Sequence, residues 1–226
     1  MRKSHGLALA VVAGLVCATT QAAAQDAALP APAAPGEDRA RAVQCLATAV
    51  AYEAGFEPDA GQQAVAEVIL NRVRTPLFPK SVCGVVFAGS ERRTGCQFSF
   101  TCDGSLRRRM TPAVMARAQA VAEAAIDGRN PQRTGGAAWY HADYVYPYWA
   151  PSLVRVVKIG AHIFYRAPGM VDRPGAGAAL TPGAEPVIAA LKDVPLGPGQ
   201  TAAPAAAVAK AEPPKAFTLW GLSPVR

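Results

Sequence analysis

Three stretches of the chain place apolar side chains three and four residues apart, with polar residues between them. This spacing puts the apolar side chains on one face of an α-helix, so it predicts three amphipathic helices. They cover about residues 38–55, 59–75 and 111–128. A glycine is expected to close the first and the third, and a proline stops the second.

Polar residues stand at the predicted helix starts. The Asp38 carboxylate can cap the first helix, and Asp59 followed by Gln62 has the spacing of a capping box. Thr111 precedes Pro112, which occupies the first helical position, where the N–H that proline lacks is not needed.

After the third helix the pattern changes. Residues 136–150 are dense in aromatic side chains and contain a proline, which argues against a regular helix. Residues 153–166 predict two short β runs separated around Gly160, or one bent strand. We therefore expect an α+β domain that is mainly helical, with a small β hairpin beside a cleft.

The two ends of the chain differ in composition from this core. A basic start, the apolar run 6–18 and small residues beyond it predict a signal peptide over residues 1–24. Residues 25–37 form an Ala/Pro linker, and residues 168–226 a Pro/Ala/Gly-rich, mostly disordered tail. This leaves residues 38–167 as the folded domain.

The leader predicts an exported protein of the periplasm or cell envelope. No other apolar run reaches the length of about 18 residues that a spanning helix needs, so we expect no stable membrane insertion. The tail ends with an apolar segment, from Phe217 to Leu222, which can dock on the domain or on a partner.

Basic charge is concentrated in the folded part. The formal net charge of the chain is +7, and residues 38–168 carry 16 basic and 10 acidic side chains. A basic exported surface suits an anionic polymer such as nucleic acid, phospholipid or cell wall, and charge alone does not distinguish them.

Four cysteines remain after removal of the leader, and an even number in an exported chain favours two disulfides with the pairing open. They are Cys45, Cys83, Cys96 and Cys102. Because the chain lacks a C-x-x-C pair and histidines at ligand spacing, we predict no metal site, and nothing predicts a cofactor.

Glu53 is the carboxylate that the pattern singles out. It lies seven residues after Leu46 and three after Val50, so it shares the buried stripe of the first helix. Burial and the negative end of the helix dipole both raise the pKa of a carboxyl group, which suits a general acid. The alternative is a structural role, in which Glu53 pairs with an arginine or caps a loop.

Other side chains offer weaker signals. Glu57 follows the turn at Gly55 and is either a second carboxylate or a solvated loop charge. The aromatic segment suits sugar faces or stacked bases, although about half of its rings are expected in the core. Within it, His141 and Asp143 can point the same way if the chain is extended there.

Five strings, in order from Cys45 to Arg166, carry a family resemblance. They are C-L-A-T-A-V-A-Y-E-A-G-F-E-P-D-A-G-Q-Q-A-V-A-E-V-I-L-N-R-V, F-P-K-S-V-C-G-V-V-F, C-Q-F-S-F-T-C-D-G, Y-H-A-D-Y-V-Y-P-Y-W-A and I-G-A-H-I-F-Y-R. Together they resemble the cell wall hydrolase family typified by the spore-cortex-lytic enzyme SleB. The chain departs from the family pattern at Gly55 and Phe56, where Arg-Gly is common.

The resemblance implies a lysozyme-like, lytic-transglycosylase-like domain that acts on the glycan strands of peptidoglycan, with Glu53 as the catalytic acid. It suggests cleavage between N-acetylmuramic acid and N-acetylglucosamine with a 1,6-anhydro product. Hydrolysis by water, helped by Glu57 or Asp143, remains the alternative, as does a non-catalytic wall-binding module. Nucleic acid is not the expected partner.

Further candidate contacts to the sugar come from loops and from the aromatic segment. Besides Glu57 and Asp143, they are Gln97, Ser99, Tyr140, His141 and Tyr144.

Overall fold

The computed structural model describes residues 36–170, 179–181 and 183–192. Four helices follow one another in its first part: α1 (Glu37–Ala54), α2 (Asp59–Arg74), the short α3 (Val82–Val86) and α4 (Pro112–Ile126). The three helices predicted from apolar spacing are thereby confirmed. Three strands come after them: β1 (Trp139–Ala142), β2 (Val154–Ile159) and β3 (His162–Arg166).

Helix α1 lies at the centre of the core and packs against α2, α3 and α4. Its side chains Leu46 and Val50 are fully buried, as are Val65 and Ile69 of α2. Leu46 and Val50 are four residues apart, and so are Val65 and Ile69, so each pair lies along one side of its helix. This packing fixes the direction in which the last turn of α1, with Glu53, points.

Two disulfides join these elements, as the cysteine count predicts. Cys45 of α1 is bonded to Cys83 of α3. Cys96 is bonded to Cys102, which closes the loop that follows α3.

The strands form one antiparallel sheet in the order β1-β3-β2. Strands β2 and β3 make the predicted hairpin, with Gly160 in the turn at φ +58°. Strand β1 was not predicted, so the sheet has three strands rather than two. The four residues of β1, Trp139–Ala142, come before the proline of the aromatic segment and all pair with β3.

The central strand β3 holds the sheet on the helices. Phe164 of β3 is fully buried and packs with Ala64 and Val68 of α2. This contact brings β1, and the side chains it carries, against the C-terminal end of α1.

The helix starts agree with the sequence in one case and differ in another. Thr111 caps α4 by accepting a hydrogen bond from the backbone N–H of Val114. The prediction for Asp38 is wrong, because Gly36 occupies the cap position of α1 and Asp38 lies in the first turn. The Asp38 carboxylate instead accepts a hydrogen bond from the N–H of Glu185.

Residues 183–192, within the predicted tail, pack on the helices. The Glu185 carboxylate accepts hydrogen bonds of 2.8 Å from the N–H groups of both Val82 and Cys83. Leu191, in a single helical turn at Ala189–Leu191, is buried in the main core. The predicted leader, most of the linker and the apolar segment 217–222 lie outside the described residues, and the domain bounds stay a prediction.

None of the described helices is both long enough and apolar enough to span a bilayer.

Candidate active site

Glu53 and Tyr140 meet between the end of α1 and the first strand. The Tyr140 hydroxyl donates a hydrogen bond of 3.0 Å to Oε2 of Glu53. The pair joins residues that are 87 positions apart in sequence. Among the sugar-contact candidates, Tyr140 is therefore the one that the structure bonds directly to Glu53.

The surroundings of Glu53 favour its protonated form. Burial raises the pKa of its carboxyl group above the ordinary value, and this is the largest effect. The Tyr140 hydrogen bond and the charge of Arg72 act in the opposite direction, whereas the charge of Asp103 raises the pKa further. The raised pKa expected from the sequence is confirmed, and its main cause is loss of water around the carboxyl group.

Tyr140 remains a hydrogen-bond donor. Burial and the negative charge of Glu53 hold the pKa of its hydroxyl well above the ordinary value. A tyrosine in this state keeps its proton throughout the physiological pH range. Its hydrogen bond therefore engages Oε2 of Glu53 and leaves Oε1 to carry the proton of the carboxyl group.

Arg72 is a buried cation beside this pair, and the sequence analysis did not single it out. Its side chain is only 4% exposed, and its Nε donates a hydrogen bond of 2.7 Å to the carbonyl of Ala138. The guanidinium also lies 5.8 Å from the centre of the Tyr140 ring. Burial lowers the pKa of Arg72, while electrostatic interaction with Tyr140 and Glu53 raises it. Nη1 finds no hydrogen-bond partner within the described residues.

The signal for Arg72 was present in the sequence. Arg72 follows Val65 by seven residues and Ile69 by three, so it lies on the apolar face of α2. This is the same relation that singled out Glu53 on α1. An arginine on a buried face needs a partner, and here it has aromatic rings, a carbonyl and a nearby carboxylate.

Glu57 is half-buried where the loop before α2 meets the β2–β3 turn, so it is not a solvated loop charge. Its Oε1 is 2.9 Å from Nδ1 of His162 and accepts a hydrogen bond of 3.3 Å from the N–H of Ala161. The loop before α2 is thereby fastened to the β2–β3 turn. Gln62 donates its side-chain hydrogen bond to the carbonyl of Glu57, so the predicted capping box with Asp59 does not form.

His141 and Asp143 do not form a pair. His141 is buried, with Nε2 at 2.9 Å from the hydroxyl of Tyr165 and its ring stacked on the Tyr165 ring. Asp143 is exposed and makes an ion pair of 2.6 Å with Lys158. Because side chains alternate along a strand, His141 points away from the face on which its neighbour Tyr140 meets Glu53.

The remaining candidates are at the surface. Gln97 and Ser99 are exposed in the loop closed by the Cys96–Cys102 disulfide, and Tyr144 is exposed after β1. Asp103 follows this loop directly, and its charge acts on Glu53 although no sequence prediction included it. No local pattern in the sequence marks Asp103, because its relation to Glu53 arises only when the loop folds.

Within the described residues, no three His, Cys, Asp or Glu side chains are grouped as a metal ion would require. The chemistry that the residues offer is proton transfer: one carboxyl group with a raised pKa, a permanent donor on one of its oxygens and a buried cation nearby.

Comparison with known proteins agrees with the resemblance seen in the motifs. Residues 56–165 match the cell wall hydrolase family. The spore cortex-lytic enzyme of Halalkalibacterium halodurans is 41% identical over 123 residues, which are 54% of this chain and 34% of that protein. The spore cortex-lytic enzyme of Bacillus subtilis is 38% identical over 122 residues, which are 54% of this chain and 36% of that protein.

Two solved structures are similar as well. The catalytic domain of the Bacillus cereus SleB protein is 28% identical, with a TM-score of 0.44, over 61% of this chain and 95% of that one. The catalytic domain of the germination-specific lytic transglycosylase SleB from Bacillus anthracis is 32% identical, with a TM-score of 0.44, over 61% of this chain and 100% of that one.

The chain spans well under half the length of the curated relatives it matches. The matching part contains Tyr140, Arg72 and the joint around Glu57. On the family match and the motifs, residues 56–165 of this chain belong to a domain of the cell wall hydrolase family.

Proposed function

We propose that this protein cuts the glycan strand of peptidoglycan between N-acetylmuramic acid and N-acetylglucosamine, with Glu53 as general acid and then general base. One observation carries the proposal: Glu53 has a half-buried side chain and a raised carboxyl pKa, and one of its oxygens accepts a hydrogen bond from Tyr140. The names of the similar spore cortex-lytic enzymes support peptidoglycan as the substrate class.

The first step is transfer of a proton. The O–H on Oε1 of Glu53 protonates the glycosidic oxygen while the bond between that oxygen and the anomeric carbon breaks, so positive charge develops on the muramic acid ring. Glu53 becomes a carboxylate. The Tyr140 hydrogen bond and the charge of Arg72 both favour that form, so they lower the cost of this step.

The second step returns the proton. The 6-hydroxyl of the same muramic acid attacks the anomeric carbon and gives its proton to the Glu53 carboxylate, which forms the 1,6-anhydro ring and restores the acid. This route needs one protein carboxyl group. It is favoured because Glu57 is engaged with His162 and Ala161, and Asp143 with Lys158.

Hydrolysis is the second candidate, and Asp103 favours it. Asp103 is exposed, and its charge raises the pKa of Glu53, so it is a carboxylate within electrostatic reach of the site. A carboxylate there can activate a water molecule for attack, as the second carboxylate of many glycosidases does. The product would then end in reducing muramic acid.

We propose that the protein acts in the periplasm or cell envelope after export. The support is the predicted signal peptide at residues 1–24, which lies outside the described residues, together with the two disulfides.

Digestion of purified sacculi, followed by mass spectrometry of the soluble products, tests both candidates. The wild-type protein is expected to release muropeptides with anhydro ends. Glu53→Gln should lower the rate by about 10²- to 10⁴-fold, the range of a lost general acid. Glu91→Gln, which changes an exposed carboxylate in a loop, is the matched control and should act like wild type.

Undiminished release by Glu53→Gln would refute the catalytic role of Glu53. If the wild-type protein makes products with reducing ends and Asp103→Asn abolishes its activity, the reaction is hydrolysis and not transglycosylation.

A further inference from the structure

We infer that Phe56 and Tyr144 form a pair of stacking rings that hold the glycan strand at the rim beside Glu53. This inference rests on the proposed function and goes further, because it assigns a sugar-binding surface that includes Phe56, a residue with no part in the chemistry above.

Both rings are unusually exposed. The exposed fraction is 83% for Phe56 and 84% for Tyr144. Neither ring stacks on another aromatic ring in the part of the chain that the structure describes. A single exposed apolar side chain is common on protein surfaces, whereas exposed rings grouped at one place mark binding sites, so the two rings are informative together.

Each ring is close in sequence to one member of the Glu53–Tyr140 pair. Phe56 follows Glu53 by three residues and Tyr144 follows Tyr140 by four, and the Glu53–Tyr140 hydrogen bond joins the two starting points. At about 3.3 to 3.6 Å per residue, the chain cannot carry the Phe56 backbone more than about 11 Å from that of Glu53. The same limit for Tyr144 from Tyr140 is about 14 Å.

A second set of bonds joins the loops that carry the rings. The N–H of Ala161 donates to the side chain of Glu57, which is the neighbour of Phe56. The carbonyl of Ala161 accepts a hydrogen bond of 2.7 Å from the N–H of Asp143, which is the neighbour of Tyr144. One residue of the β2–β3 turn therefore binds the neighbour of each ring, which places the backbones of Phe56 and Tyr144 beside the same turn at this rim.

The charges around this rim point to a sugar as the occupant. Asp143 is neutralised by Lys158, and the Glu57 carboxylate is turned inward against His162. Two uncharged ring faces remain exposed there, one of which ends in a hydroxyl group, and the guanidinium of the exposed Arg117 donates a hydrogen bond to the backbone carbonyl of Glu57. The C–H faces of pyranose rings fit such surfaces, and the tyrosine hydroxyl can bond a sugar hydroxyl.

Binding to substrate in a catalytically disabled background tests the inference. The parent is Glu53→Gln, and its binding to purified sacculi is measured by sedimentation over a range of protein concentrations. Phe56→Ala and Tyr144→Ala, each added to the parent, should raise the apparent Kd about fivefold or more. Phe56→Tyr should bind as the parent does, because it retains a ring.

Val187→Ala is the matched control. Val187 is also apolar and exposed, but it lies in the segment that packs beside the opposite, N-terminal half of α1. It should leave both binding and thermal unfolding unchanged. The ring variants should also unfold at the temperature of the parent, since neither side chain is buried.

A second substrate identifies the part of peptidoglycan that the rings contact. Glycan strands stripped of their peptides by an amidase should show the same loss of affinity as intact sacculi. If the ring variants lose affinity only for intact sacculi, the rings contact the peptide. If they lose affinity only for anionic lipid vesicles, the rings contact a membrane. Either outcome overturns the inference.

Two further results separate this inference from the proposed function. A parent that binds sacculi, with ring variants that bind equally well, overturns the stacking pair and leaves the proposed function intact. A parent that does not bind, together with a wild-type protein that releases no muropeptides, overturns both.

Discussion

Partial burial in the last turn of α1 makes the carboxyl group of Glu53 bind its proton more tightly in the folded chain than in the unfolded chain. Its folded-state pKa is raised above 4.5, so the stability that protonation provides is complete below that value. This stability is lost as the pH rises through the folded-state pKa. The residue that suits acid catalysis therefore makes the fold less stable at neutral pH.

Glu53→Gln is expected to raise the melting temperature at pH 7, because an amide keeps the acceptor for Tyr140 and carries no charge to bury. The gain over wild type should shrink as the pH falls to 4, where Glu53 is protonated in both states. Thermal unfolding of the two proteins between pH 4 and pH 8 measures the difference between their melting temperatures. The other titrating groups are the same in both proteins, so their effects cancel in this difference. A gain that is constant with pH would contradict the raised pKa.

Arg72 balances the effect of burial on Glu53. Its positive charge lowers the pKa of the Glu53 carboxyl group, and its Nε holds the start of β1 through the carbonyl of Ala138. The first contact concerns the protonation of the acid, and the second the position of Tyr140 on the same strand.

Arg72→Gln is expected to move the alkaline limb of the pH dependence of kcat/KM to higher pH, since the lost cation no longer favours the Glu53 carboxylate. Arg72→Lys keeps the charge and should leave that limb in place. Both variants lose the hydrogen bond from Arg72 to Ala138 in its present geometry. The free energy of unfolding of each should therefore fall by about 1 to 3 kcal/mol. An alkaline limb that moves equally in both would argue against a role for the charge.

The joint between the loop before α2 and the β2–β3 turn shows how elements, rather than single residues, place the site. The Glu57 carboxylate fills the space against both Gly61 and Gly160, where a Cβ atom on either glycine would collide with it. Gly160 also has φ +58°, a conformation that favours glycine. The hairpin turn therefore meets Glu57 at a position that accommodates no side chain.

Gly160→Ala should destabilise the domain by more than the 1 to 2 kcal/mol or so that a left-handed conformation costs an alanine. The matched control is Gly169→Ala, which has φ +78° and no neighbour within 4 Å, so it carries the conformational cost alone. Urea unfolding measures both. Adding Glu57→Ala should remove the excess cost of Gly160→Ala, and an unchanged excess would show that the contact with Glu57 is not its cause.

For the helices and strands, the sequence predicted those features that depend on the local spacing of apolar residues and glycines. The spacing of Leu46, Val50 and Glu53 placed the acid on a buried face, and the glycine at 160 placed the hairpin turn. Strand β1 was missed because it has only four residues and adjoins a segment rich in aromatic side chains. Its extended state depends on pairing with β3, which no local pattern records.

For the molecule as a whole, the segment 183–192 is part of the packed structure. Glu185 satisfies the first two backbone N–H groups of α3, and Leu191 fills the core beside α1. These contacts join residues more than 100 positions apart. A composition rich in proline and alanine therefore predicts a disordered tail without revealing the ten residues that are held.

Glu185→Ala should lower the free energy of unfolding by about 1 to 3 kcal/mol, because it leaves two N–H groups without their acceptor. Chemical unfolding checks this, with Glu91→Ala, an exposed glutamate, as the control. A protein truncated after residue 182 should lose more, since Leu191 leaves the core as well. Equal stability of the truncated and full chains would show that the segment contributes nothing.

The bond between Cys45 and Cys83 makes the stability of the domain depend on its oxidation state. It closes 38 residues of chain between two helices of the core, and a loop of that length confers about 4 kcal/mol in the chain-entropy description. That is a large share of the 5 to 15 kcal/mol or so by which domains are stable. A copy in a reducing compartment lacks this contribution, so the redox state of its surroundings affects how long the domain resists proteases.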